Sequence, residues 1–126
     1  MAFYVDETTG NITLVQGDSA TLVVNGLPTD ENYMVYLAIY DENRNIIGDE
    51  MKIQSNGSST VSIAILSSLT DLLTVDSNED TAEYYYGLKI CLEDSGYEDT
   101  LCINDSDIGD INTVTVYPKK VEGIIT

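Results

Sequence analysis

The residues best able to do chemistry here are a carboxylate loop, a pair of thiols and a run of tyrosines. Asp105-Ser106-Asp107-Ile108-Gly109-Asp110 gathers three carboxylates and a glycine in one short segment. Calcium takes about six to eight oxygen ligands, and alternate carboxylates in a tight loop supply them. Asp105, Asp107 and Asp110 are therefore the candidate calcium ligands, and no other cofactor is suggested. The distal bidentate Glu of the helix-flanked calcium loop is missing, and predicted strands flank the segment. Asp76, Asn78 and Asp80 form a second alternating set. Asp and Asn in turns more often bond their own backbone, and that reading competes for both sets.

Catalysis finds little to work with. The chain has no His, which removes the commonest general base, the Ser-His-Asp triad and most zinc sites. Cys91 has no histidine to activate it as a nucleophile. With 22 Asp and Glu, any chosen carboxylate pair carries no information. No phosphate-cradling glycine loop precedes a helix. The sequence is read as that of a protein that is not an enzyme.

Tyrosine and cysteine share one predicted hairpin, 82–103. The chain has nine Tyr, one Phe and no Trp. Tyr84, Tyr86, Leu88, Ile90 and Leu92 fall on one face of a strand; Tyr85, Gly87, Lys89, Cys91 and Glu93 fall on the other. Asp94-Ser95-Gly96 supplies turn chemistry, since Gly accepts positive φ. A loop over 95–98 would set Cys91 opposite Cys102. That adjacency permits a cross-strand disulfide if the protein meets oxidant; a cytosolic origin favours two reduced thiols. Tyr85 is expected outward beside Gly87. It serves either as part of an aromatic pair covering the sheet or as a contact with a partner chain. Ile124 and Ile125, in a tail over 121–126 after Lys119-Lys120, are the other candidate partner contacts.

The elements around these residues alternate in the same way. Strands are predicted over 12–15, 19–24, 33–40, 46–54, 60–66 and 111–117, with turn clusters between them. The 33–40 segment is apolar on both faces and so belongs inside a sheet. One short helix or turn is expected near 67–75, with Ser68 as N-cap, Asp71 completing a capping box, and Leu69, Leu72 and Leu73 on one face. The expected fold is all-β: an immunoglobulin-like antiparallel sandwich of seven to eight strands. One domain over 1–120 is followed by the tail.

The balance of charge narrows the partners. Five basic residues against 22 acidic ones give a net charge of −17. Such a chain repels nucleic acid phosphates and anionic lipid surfaces, so neither nucleic acid nor membrane is expected as a partner. No apolar run approaches the ~20 residues of a membrane span. MAFYVDETTG lacks the basic and apolar regions of a signal peptide, which predicts synthesis in a cytoplasm.

Several segments together resemble the small β-sandwich modules of tailed-bacteriophage virions: baseplate upper protein N-terminal modules, head fibres and decoration proteins. They are Gln16-Gly17-Asp18-Ser19-Ala20-Thr21-Leu22, the 33–40 strand with Ile46-Ile47-Gly48, the 67–73 Ser/Leu turn, Tyr84-Tyr85-Tyr86-Gly87-Leu88-Lys89, Glu98-Asp99-Thr100-Leu101-Cys102, and Thr113-Val114-Thr115-Val116. A pronounced glycine common before the Tyr-rich strand is replaced by Ala82-Glu83. The resemblance implies a structural virion component, made in the host cytoplasm, that self-associates and docks on other virion proteins. Two other classes stay open. One is an extracellular-type carbohydrate- or calcium-binding module, and the other is an acidic DNA mimic that inhibits a DNA-binding protein.

Overall fold

Alternation along 82–92 decides the larger sheet. In the computed structural model, which describes residues 3–6, 8–92, 95–101 and 112–120, Tyr86, Leu88 and Ile90 are buried while Gly87 and Lys89 are exposed. The chain runs β1 (Tyr4–Val5), β2 (Ile12–Val15), β3 (Ala20–Val24), β4 (Met34–Tyr40), β5 (Met51–Gln54), β6 (Val61–Ile65), α1 (Ser67–Thr70), β7 (Ala82–Leu92), β8 (Tyr97–Leu101) and β9 (Asn112–Tyr117). The fold is all-β, with one helical turn among the described residues. The larger sheet has the order β1-β2-β9-β7-β4-β5, and β8 also pairs with β7. The second sheet is β3 with β6. Inward residues of both sheets make one core: Ile12, Leu14, Val35, Leu37, Ile39, Ile90, Val114 and Val116 from the larger sheet meet Leu22, Val24, Ile63 and Ile65 from the smaller.

The expectation of an antiparallel fold is corrected at one ladder. β2 and β9 pair in parallel, Ile12 with Val114 through Val15 with Tyr117. A seam of polar contacts holds this ladder in place. The turn before β2 is closed by Asp6, whose carboxylate accepts from the amides of Thr8 and Thr9 at 2.8 and 3.2 Å. That turn then offers its own groups to the sheet. Asn112 donates to the Thr9 carbonyl at 2.9 Å, and the Thr113 amide donates to Asn11 Oδ1 at 3.1 Å. The buried Tyr86 hydroxyl donates to the Gly10 carbonyl.

Two other elements are shorter than the sequence suggested. The 46–54 strand is reduced to β5, preceded by a single bridge between Tyr40 and Ile46. Gly48 breaks it: its φ is +69°, and a Cβ there would lie 2.5 Å from Leu69 Cδ1. The short helix or turn expected near 67–75 is one helical turn, continued by bonds from the Leu72 and Leu73 amides to the Leu69 and Thr70 carbonyls. Its N-cap is Leu66, with no side-chain cap, so the Ser68–Asp71 capping box does not form. Leu69 and Leu73 are buried but Leu72 is 53% exposed, because the helix stops before all three can share a face. A single turn has no stability of its own. Contacts from both sides hold it. Thr70 Oγ1 donates to the Asp18 carbonyl at 2.7 Å, Gln16 Nε2 to the Asp71 carbonyl at 2.9 Å, and Lys119 Nζ lies 2.6 Å from Asp71 Oδ1.

The β7–β8 register also differs from expectation. Leu92 pairs with Tyr97, and Cys91 faces Glu98 rather than Cys102. The loop is 93–96, two residues earlier than 95–98. Leu101 faces Leu88, so the residue before Cys102 already lies three positions up the strand from Cys91. The register that would set Cys91 opposite Cys102 is thus not the one observed; Cys102 itself lies outside the described residues. The shift is even-numbered, which keeps every β7 side chain on its expected face.

Replacing Tyr86 by Phe leaves a buried carbonyl without its donor, and urea denaturation should show a loss of about 1–3 kcal/mol. Gly48→Ala forces a Cβ into a left-handed backbone and against Leu69; it should cost about 1–3 kcal/mol in the same assay.

Candidate interaction surface

Because strand side chains alternate, the residues that do not enter the core build the outer face of the larger sheet. Cross-strand pairing sets them in rows. Tyr85 of β7 lies between Tyr40 of β4 and Thr113 of β9. The next row inward is Ala38 beside Gly87, then Tyr36 between Lys52 and Lys89, then Met34 between Gln54 and Cys91. Tyr36, Tyr40 and Tyr85 are half-buried, and Gly87 is exposed. A Cβ built on Gly87 meets no atom within 4 Å. The face is thus an aromatic surface with open space at Gly87, while Ala38 beside it is covered.

Tyr85 lies on this face with Gly87, where the alternation places it. Its hydroxyl donates to Glu83 Oε1 at 3.3 Å. The Glu83 charge, followed by partial burial, pushes the phenol above its usual pKa. Lys89 Nζ sits 2.7 Å from Glu98 Oε1; that bond and the Glu98 charge raise the ammonium above its usual value. Cys91 borders a shallow groove of about 410 Å³ with Met34, Gln54, Glu31 and Leu92. Its neighbours across the ladders are Met34 and Glu98.

A second aromatic contact fixes β8 beside the loop before β4. The Tyr33 and Tyr97 rings lie 5.8 Å apart at 59°. The Tyr33 hydroxyl donates to Asp30 Oδ1 at 2.8 Å. That bond raises the Tyr33 phenol to about 12, with burial and the Asp30 charge adding to it. Burial, then Asp99, raises Tyr97 as well.

The other sequence candidates divide in two. Asp105, Asp107, Asp110, Cys102, Ile124 and Ile125 lie outside the described residues. Among the described residues no group of three or more His, Cys, Asp or Glu is placed to hold a metal. Asp76, Asn78 and Asp80 are exposed, and the Asp76 carbonyl closes a turn with the Glu79 amide at 2.9 Å. Asp41 shows what such carboxylates do here: it accepts from the amides of Asn43 and Asn45 at 2.8 and 3.0 Å, and these bonds hold it below its usual pKa. Tyr36 and Tyr40 are the residues that sequence reasoning left out of the surface. Their signal was available, since both sit at even positions of the doubly apolar 33–40 strand. Comparison with protein-family models and with curated proteins gives no match to this chain.

The raised phenols set a pH dependence. A tyrosine held neutral by the fold stabilises it fully below the unfolded value of 10.0, and that share is lost as pH rises through the folded value. For Tyr33 the window is 10.0 to about 12, and Tyr85, Tyr86 and Tyr97 shift in the same direction. Thermal melts should show Tm falling across that window, with a shallower fall in Tyr33→Phe. A Tm that stays level to pH 12 contradicts the assignment.

Proposed function

We propose that this chain is a non-enzymatic structural module of a phage virion, working by docking onto other virion proteins. The observation that carries the reading is the outer tyrosine face with its open space at Gly87. Tyrosine supplies large contact area at low entropic cost, and its hydroxyl accepts a polar rim. The inner face is wholly spent on the core, so the outer face is where a partner finds apolar area. The resemblance of the Tyr-rich strand and its neighbours to virion modules supports the same reading, and so does an acidic surface that repels nucleic acid.

The finer fold assignment belongs to this proposal. We infer an immunoglobulin-like sandwich, in which β3 and β6 take the places of strands B and E, and β4, β7 and β9 those of C, F and G. The larger-sheet order β9-β7-β4-β5 and the separate β3–β6 pair support it. The absence of any Trp, and of any cysteine on β3, the strand matching B, sets it apart from antibody domains.

The test is docking onto purified virions stripped of this chain. Gly87 has ordinary negative φ and open space above it, so Gly87→Lys keeps the fold while filling that space. Wild-type protein should rebind, and Gly87→Lys and Tyr85→Ala should each weaken rebinding about tenfold or more. Absence of the chain from virions, or rebinding indifferent to both substitutions, overturns the proposal. Binding to a glycan array that Gly87→Lys abolishes would move the assignment to a carbohydrate module, since tyrosines also stack on sugar rings.

A further inference from the structure

A free strand edge offers unpaired backbone donors and acceptors to any other strand, and proteins blunt such edges with charge, shortness or cover. The edges here differ in that respect. β1 is two residues long. β5 carries Lys52, and β8 carries Glu98 and Asp99. β6 lies beside β5. β3 has none of these protections among the described residues. It is five residues long, pairs only with β6, and lies in a stretch from 19 to 29 without a single charge. Its partner β6 lies in a longer uncharged stretch, 53–70, so the whole β3–β6 pair carries no charge. The strand's outer face shows Thr21 and Val23, with Val23 51% exposed. A groove of about 440 Å³ crosses the start of β3 and the end of β6, bordered by Phe3, Ala20, Ala64 and Leu66.

We propose that β3 is a self-association edge. Two copies pair β3 with β3 antiparallel across a two-fold axis, extending β3–β6 into one four-stranded sheet. The strand is complementary to itself. Centred on Leu22, the pairing sets Thr21 opposite Val23 of the second copy on the outer face. On the inner face it sets Leu22 opposite Leu22 and Ala20 opposite Val24. β-branched cross-strand pairs favour the first arrangement, and no charge is buried in the second. Net charge argues for the same occupant. Two acidic copies repel everywhere except across an uncharged surface, and this edge offers one together with backbone hydrogen bonds. The inference does not depend on the tyrosine face, which lies on the other sheet.

Sedimentation equilibrium on the intact chain tests it, at about 0.5 M salt to screen the net charge. The wild type should dimerise. Thr21→Lys with Val23→Lys places like charges across the axis and should raise the dimer Kd about tenfold or more. Thr21→Glu with Val23→Lys sets each Glu against a Lys of the second copy and should keep the dimer. Both sites are exposed, and this second variant carries the same number of new charges, so it controls for folding. Hydrogen exchange at β3 should become slower as concentration rises. A wild type that stays monomeric, or a dimer untouched by the double lysine variant, overturns the proposal. So does a monomer whose β3 amides are already protected, because the chain's own residues then cover the edge. A dimer broken by Gly87→Lys instead places the contact on the tyrosine face and also overturns it.

Discussion

Strand β7 is bonded along both edges, so its register constrains nearly every other strand of the larger sheet. β4 runs along one side; β9 takes the first half of the other side and β8 the second. A slip of one residue would turn Tyr86, Leu88 and Ile90 out to water and carry Tyr85, Lys89 and Cys91 inward. Burying an ammonium and losing three large apolar side chains would cost several kcal/mol. The inner row of β7 therefore fixes which tyrosines remain outside. The outer tyrosine face is in this sense a by-product of the core, since each outward Tyr is defined by an inward neighbour.

The polar seam at Gly10 does what apolar packing cannot do for a parallel edge. Hydrophobic burial is non-directional and would accept β2 in more than one register against β9. The bonds from Tyr86, Asn112 and Asn11 are directional and accept one. Burial holds the Tyr86 phenol above its usual pKa, so the donor keeps its proton under all ordinary conditions. The acidic residues are used in a similarly local way. Asp6 and Asp41 organise turns through backbone amides, and Asp30 anchors a tyrosine. These three of the 22 acidic residues thus serve the loops that join the strands.

Alternation was legible from sequence because it needs only neighbouring residues. The faces of β7, the central place of β4 and the strands β2, β3, β6 and β9 all followed from period 2. What was not legible depends on partners far along the chain. Nothing local marks β2 as the neighbour of β9, a hundred residues away, so a parallel ladder was missed. The β7–β8 loop could be placed at 95–98 or two residues earlier with the same glycine, and both choices preserve the faces. The Tyr97 ring packed on Tyr33 and the Lys89–Glu98 ion pair separate them. The helical face was overread for a similar reason: three leucines at helical spacing are compatible with a single turn followed by an irregular segment. Of the surface, Tyr85 was visible in the sequence, while its neighbours Tyr36 and Tyr40 needed the β4–β7 register.

The parallel pairing of β2 with β9 has a mechanical meaning. Tension applied between Asn11 and Pro118 runs along the ladder and in opposite directions on its two strands. The inter-strand bonds are then loaded in shear, together rather than one after another. An antiparallel pair pulled from one end opens like a zipper, each bond failing alone. The Tyr86, Asn112 and Asn11 contacts sit at the head of the same ladder and share that load. Resistance of this kind is set by the unfolding rate rather than by equilibrium stability. A parallel ladder therefore meets tension along its length with all its bonds at once.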